Sequence, residues 1–459
     1  MADTQSNTKL DIEALRAELK CDLLTEESTG YDEGRQMHDP TIDFRPGAIV
    51  RAATTEDVAT VVGFAARSGL PVAVRSGGHG LSDDMLVDGV LLVDLSLLKG
   101  ISINAEAGTA RVQAGATSGD LAGPAHAHGL ALTTGDTSSV GLGGLTTGGG
   151  IGFMVRKFGL TIDNLISAQV VTADGNVLNA SETENADLFW GIRGGGGNFG
   201  IVTEFEYRLA RVEQILGGAI VLPATREVIR GYVDYTPDAP ENLTTIGQLM
   251  MAPPAPFIPP EWVGKPVFMV LVCWTGDVEA GQKALEPLRN LAQPVVEMVA
   301  PMPYPAIYEL TAEAAVRHGN AIRSMVQRQI SDDCIDSMIA AMPDGKAMMN
   351  MVQIRGLGGA MAAVSSDATA FSDRDARYLT SVIAVWADEN EDATPHRQWI
   401  RSLYDKISHL RTGYYINFLE TEGEGPIREC YGDNFARLVE LKRKYDPANT
   451  FRFNQNLKP

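Results

Sequence analysis

Three glycine clusters limit what this chain can become more than any other feature of its sequence. Gly77, Gly78 and Gly80 form the first, eight glycines from Gly135 to Gly152 the second, and six from Gly191 to Gly200 the third. Together they hold 17 of the 47 glycines. Consecutive glycines bare the main-chain N–H groups and let the backbone approach a ligand closely, as a phosphate cradle requires. Isolated glycines are explained by tight turns. Runs such as GLGG beside GGG carry an entropic cost that turn packing rarely repays.

The familiar nucleotide motifs do not account for these runs. Gly195-x-Gly197-x-x-Gly200 matches the dinucleotide pattern, but it follows a helix-like segment, Ala186–Ile192, and precedes a strand-like one, Ile201–Arg208. The fingerprint needs a strand before and a helix after. Gly264-Lys265 and Gly345-Lys346 are followed by Pro and Ala, so neither completes a P-loop. His126-x-His128 has no nearby cysteine or paired carboxylate and reads as helix-end polarity, not a metal site. No metal is expected.

Charge and length narrow the classes further. The 459 residues carry 38 Lys+Arg against 58 Asp+Glu, a formal charge of −20 without a dense basic block, which disfavours nucleic acid. Two domains, or three, suit that length. The four cysteines (Cys21, Cys273, Cys334, Cys430) lie far apart with no CxxC pair, as expected of buried thiols in a reducing compartment. The first twenty residues lack an apolar signal core, and no run reaches membrane-spanning length, so a cytoplasmic protein without membrane attachment is expected. Nothing in the sequence indicates an oligomeric state.

Periodicity gives a mixed α/β chain. Helical spacing marks Leu10–Leu19, Thr55–Ser68 (capped by Thr54 or Thr55) and Gly119–His128. Strands are expected at Ala48–Arg51, Pro71–Arg75, Val90–Asp94, Arg111–Gly115 and Ile201–Arg208, with a hairpin at Asp174-Gly175. After Val212 the texture changes. Strands at Val267–Trp274 and Ala347–Arg355 alternate with helices expected at Ala280–Leu291, Tyr304–Gly319 and Asp375–Asp388, and a tail helix covers Asn434–Lys444.

Four segments point further: RSGGHG (Arg75–Gly80), VGLGGLTTGGGIGFMVRKFGLTIDNL (Val140–Leu165), ENADLFWGIRGGGGNFGIVTEF (Glu184–Phe205) and YDPANTFRFNQN (Tyr445–Asn456). In order and spacing they resemble the FAD-linked oxidases of the vanillyl-alcohol-oxidase superfamily, within them the berberine-bridge-enzyme-like group. The resemblance implies an α+β fold: a two-part, PCMH-type FAD-binding domain (residues 1–212), an inserted antiparallel-sheet substrate domain covered by helices (213–410), and a C-terminal segment returning to the FAD domain (411–459). It implies FAD covalently linked through His79, whose neutral imidazole can attack the flavin 8α carbon. Many relatives add a cysteine thioether in a G-x-C-x-x-V-G segment; here Thr137 occupies that position, so one covalent link is expected. Arg75, Ser76, Gly77, Gly78 and Gly80, with Gly141, Gly144, Gly148, Gly149 and Gly152, would supply main-chain N–H groups to the cofactor. Gly200, Ile201 and Val202 would lie along the adenosine, Asn454 near the ring, and Val140 beside the oxygen-reactive carbon.

The resemblance also exposes departures. Relatives use the last tyrosine of a Y-x-N-Y segment as base, but here the segment is Tyr415-Ile416-Asn417-Phe418. Others place a glutamate on the strand above the ring, where this chain has Gln353. Period-two geometry puts Met351, Gln353 and Arg355 on one face. There Gln353 could orient a substrate, and Arg355 could bind a carboxylate, enolate or phenolate or sit at the solvent edge. Tyr415 and Glu420 remain the candidate bases, with Glu420 expected on the strand face of Phe418. The expected function is an oxidase passing hydride from a small alcohol, amine or phenolic substrate to flavin, with dioxygen reduced to hydrogen peroxide. The alternatives are a dehydrogenase of the same fold and a flavin-binding protein without catalysis.

Overall fold

The computed structural model describes residues 10–81, 87–420 and 423–459. The first half builds a four-stranded and a five-stranded sheet, with a two-stranded ladder of Leu130–Ala131 and Ala210–Arg211, and these bring the glycine clusters together. In the first, the strands Ala48–Arg51, Leu91–Asp94 and Val72–Arg75 run parallel side by side, with Asp22–Leu24 antiparallel at the edge. The helix Thr55–Ser68 covers this sheet. Thr54 and Asp57 form a capping box at its start, Gly69 (φ 64°) ends it, and Val58, Val61, Val62 and Ala65 are fully buried at helical spacing. Each such valine contributes roughly 1.5–3 kcal/mol by leaving water.

The second sheet is antiparallel, in the order Ile101–Asn104, Thr109–Gln113, Ile201–Arg208, Leu165–Val171, Val177–Ser181. Asp174-Gly175 turns the last hairpin, with Gly175 at φ 80°. The helix Ala186–Ile192, the third glycine cluster and the strand Ile201–Arg208 follow one another as expected, so the G-x-G-x-x-G run is a helix-to-strand loop.

The second half builds one eight-stranded antiparallel sheet. Its order is Val296–Met302, Ile215–Pro223, Pro266–Thr275, Leu243–Met251, Met349–Gly356, Tyr378–Trp386, Gly319–Gln327, Arg411–Gly413. Helices Arg226–Tyr235, Asp332–Ala341 and Thr394–Ile407 cover one face, where Val352 and Ile354 join their core. The other face roofs the glycine-rich half: Ile246 and Leu271 pack on Phe153 and Met154, and Val326 and Leu379 on Ile151 and Val155. Buried polar ties fix this seam. Arg156 reaches the carbonyls of Leu357 and Ala239, and Arg374 grips Asp163 through two bonds of 2.8 Å.

Two expectations fail in this half. The helix expected over Asp375–Asp388 is the strand Tyr378–Trp386, third from one end of the sheet. Both its faces are covered, so YLTSVIAVW reads as a continuous apolar run whose length mimics a buried helix, while its Thr, Val and Ile favour the pleat. The helix expected over Tyr304–Gly319 is a 3-10 stretch, Tyr304–Ala315, broken at Thr311, and Gly319 already starts a strand. Pro303 and Pro305 at its start favour the tighter turn. The last sheet strand, Arg411–Gly413, lies just beyond the expected boundary at residue 410.

Candidate active site

The first two glycine clusters close on each other. Gly77 and Gly141 meet main chain to main chain, and a Cβ on either would collide with the other's backbone. Ser76 locks the contact by donating from its hydroxyl to the Ala114 carbonyl (2.7 Å), which also lies against Gly143. Among the described residues the N–H groups of Gly77, Gly78, His79 and Gly80 find no acceptor, and the space beside Gly144 is open. These unspent donors are what an anionic ligand needs. Arg75 is different: its guanidinium is buried against Asp94 (2.9 Å) and the Gln36 carbonyl, so its side chain fastens the sheet.

Gly148 lies under Asn417, Gly149 (φ 125°) under Phe371 and Tyr415, and Gly152 against the Thr134 carbonyl. The third cluster joins through main-chain bonds from Gly194 and Gly196 to the Thr147 carbonyl. Gly200, Ile201 and Val202 start the central strand with both aliphatic side chains in the core, leaving only their backbone for a ligand. Val140 is half-buried where the loop crosses to Ser118. Asn454 binds the Gly197 carbonyl (3.1 Å) and keeps its own Oδ1 buried without a described partner.

His79 stands where the loops converge. Its Nε2 lies 3.0 Å from Ser139 Oγ, and His38 stacks on its ring with centroids 3.7 Å apart and planes 22° from parallel. Burial, then the neighbouring His38, push its pKa down to about 3. Burial also lowers His38. His79 is therefore a neutral imidazole at ordinary pH. A neutral imidazole keeps one ring nitrogen with its lone pair, and the Ser139 hydroxyl can donate to Nε2 or accept from it.

The tail closes the site from above. Tyr415 is buried; its oxygen accepts from Gly150 N–H (3.1 Å) and Asn417 Nδ2 (3.0 Å). Burial raises its pKa, so the phenolate that a base would need is disfavoured. Glu420 does not share a strand face with Phe418, because Ile416–Phe418 is a single 3-10 turn. Its carboxylate accepts from Ile322 N–H (3.1 Å) at the sheet edge.

On the roof, Gln353 and Arg355 do share a face, and Arg355 is not at the solvent edge; its guanidinium is paired. It is 6% exposed, pairs with Asp136 at 2.5 Å, donates to Gln353 Oε1, and lies over the Phe418 ring. Asp136 immediately precedes Thr137 and is held again through its carbonyl by Thr311.

Sequence reasoning missed His38, Ser139 and Asp136, and with them Tyr431 and Asn456. The Tyr431 hydroxyl and Asn456 Oδ1 are buried beside the third cluster or the tail without described partners. Only Ser139 and Asp136 carried a signal, since both lie inside the segment already singled out by Thr137.

This architecture has relatives. Residues 46–181 match the FAD binding domain family, and residues 414–458 the berberine and berberine-like family. An FAD-linked oxidoreductase of Dictyostelium discoideum is 30% identical over 422 residues, 90% of this chain and 89% of that one. Among solved structures, 6-hydroxy-D-nicotine oxidase from Arthrobacter nicotinovorans superposes with a TM-score of 0.85 at 25% identity, covering 96% of this chain and 98% of that one. Glucooligosaccharide oxidase from Acremonium strictum, described with 6-S-cysteinyl, 8α-N1-histidyl FAD, gives 0.85 at 25% identity, covering 97% and 99%. With its glycine cradle, helix-backed roof and matching tail, the chain belongs to the berberine-bridge-enzyme-like FAD-linked oxidoreductases and is an FAD-dependent oxidoreductase.

Proposed function

We propose that the chain is an oxidase that holds FAD covalently through His79 and passes electrons from a small alcohol, amine or phenol to dioxygen, releasing hydrogen peroxide. One observation carries this reading: a buried, neutral histidine held by Ser139 at the junction of two glycine loops, where a neutral imidazole offers one nitrogen lone pair. A histidyl link is described for the Acremonium enzyme, and Thr137 in this chain supports a single link.

The residues fit the cofactor. The unspent N–H groups of Gly77, Gly78, His79 and Gly80 and the open side of Gly144 suit a pyrophosphate, and the orphaned Asn454 Oδ1 suits a donor on the ligand. When bound, FAD supplies a two-electron acceptor for a substrate C–H hydride. Gln353 orients the substrate. No ionised base stands on the roof face among the described residues: Arg355 is paired with Asp136, and Gln353 is neutral. The substrate proton therefore leaves to solvent or from an already acidic group, without an ionised base on the roof face.

Anaerobic mixing with a panel of alcohols, amines and phenols tests the reading. Bleaching of the flavin, followed by stoichiometric peroxide on admitting air, is expected. Bleaching without peroxide would indicate another electron acceptor, and no bleaching by any compound a protein without catalysis.

A further inference from the structure

The flavin-side face of the roof sorts its side chains into levels that describe a substrate. Cross-strand register places Met269, Gln248, Gln353 and Ser381 side by side on four neighbouring strands. Two residues further along, on the same face, come Met250, Met351 and Ile383, and beyond them Met349 beside Val385. Side chains on this face change from an ion pair at Arg355, through two neutral amides, to thioethers and branched aliphatics. Met269, Met349 and Ile383 remain half-buried and, like the partly exposed Trp262, pack against the buried cluster that contains Met250 and Met351. Among the described residues, Arg355 is the single ionic side chain that these roof strands turn to this face, and Asp136 cancels its charge.

We propose, resting on the flavin lying beneath this face, that the substrate is a neutral and largely apolar molecule, an aryl or alicyclic carbinol or its carbonyl product. Its body lies along the Met351–Ile383 ramp and its one oxygen meets the Gln353 and Gln248 amides. Gln353 Oε1 is taken by Arg355, which leaves its Nε2 to donate to that oxygen. Methionine walls adapt to irregular apolar shapes and favour aromatic edges. A glycoside fits this face badly. Two amides cannot serve its many hydroxyls, and each one buried on the methionine wall would lose its water with no partner in exchange. A carboxylate fits no better, since it would be desolvated beside a guanidinium that is already compensated. The chain would thus differ in substrate from oligosaccharide oxidases that share its fold.

Equilibrium titration of the aerobic holoenzyme, read from the flavin absorption band, tests this without turnover. The probes are acetophenone, benzoate and methyl β-cellobioside. Acetophenone should perturb the band saturably, and Gln248→Leu and Ile383→Asn should each weaken it about tenfold while acid-stable flavin, the check on folding, stays at the wild-type level. Benzoate and the cellobioside should leave the band unchanged at a hundredfold higher concentration. Saturable binding of either of those without acetophenone binding overturns the proposal, as does acetophenone binding that is indifferent to both substitutions. Binding of acetophenone by a protein that bleaches with no substrate would remove the oxidase reading and leave the binding class standing.

Discussion

Arg355 on the roof sheet and Asp136 on the glycine-rich loop form a buried ion pair, 2.5 Å apart, that joins sheet to loop beside the candidate active site. The pair has a structural consequence. Arg355→Leu leaves Asp136 buried without its partner and should cost about 3–5 kcal/mol in unfolding free energy. The double change Asp136→Asn with Arg355→Met should recover most of that loss, measured as a double-mutant cycle by chemical denaturation. Equal and additive losses would show that the two groups do not depend on each other.

Tyr415 fastens the glycine loop, and its burial disfavours the phenolate that a base would need. Tyr415→Phe removes the acceptor used by Gly150 N–H and Asn417, so it should lower stability by about 1–3 kcal/mol. Its rate of anaerobic flavin reduction should keep the wild-type pH dependence. Loss of an alkaline limb in that profile would restore the tyrosine to the chemistry.

Asp373 should make stability sensitive to pH. Burial raises its carboxyl to about 7, with Arg328 opposing, and its Oδ2 has no described partner. A carboxyl raised on folding favours the native state below the unfolded value near 4, and that stability is lost as pH rises through 7. Asp373→Asn, which mimics the protonated form, should therefore stabilise the protein by about 2 kcal/mol at pH 8 and change little at pH 4. Thermal melts at the two pH values give the comparison, and equal shifts at both would contradict it.

The legible parts of this molecule were those with local chemistry. Thr54 or Thr55 announced the start of a helix, Asp174-Gly175 a hairpin, and the helix-then-strand context of Gly195–Gly200 ruled out a dinucleotide turn. The strand Tyr378–Trp386 was illegible because a strand buried on both faces loses its alternation. Arg355 could be placed on the correct face by period two, but its partner lies 219 residues earlier and no spacing rule connects them. His38 is hidden in the same way: a ring stacked on His79 from across a loop leaves no trace in periodicity. Side chains that touch across a fold become visible only once the fold exists.

The most direct measurement of the central claim is the colour of acid-precipitated protein. Wild-type protein should yield a yellow pellet, and a flavin-bearing peptide that includes His79 after proteolysis. His79→Ala should give a colourless pellet with the flavin released to the supernatant. A yellow pellet from His79→Ala, or a colourless one from the wild type, would contradict the assignment of His79 as the covalent anchor.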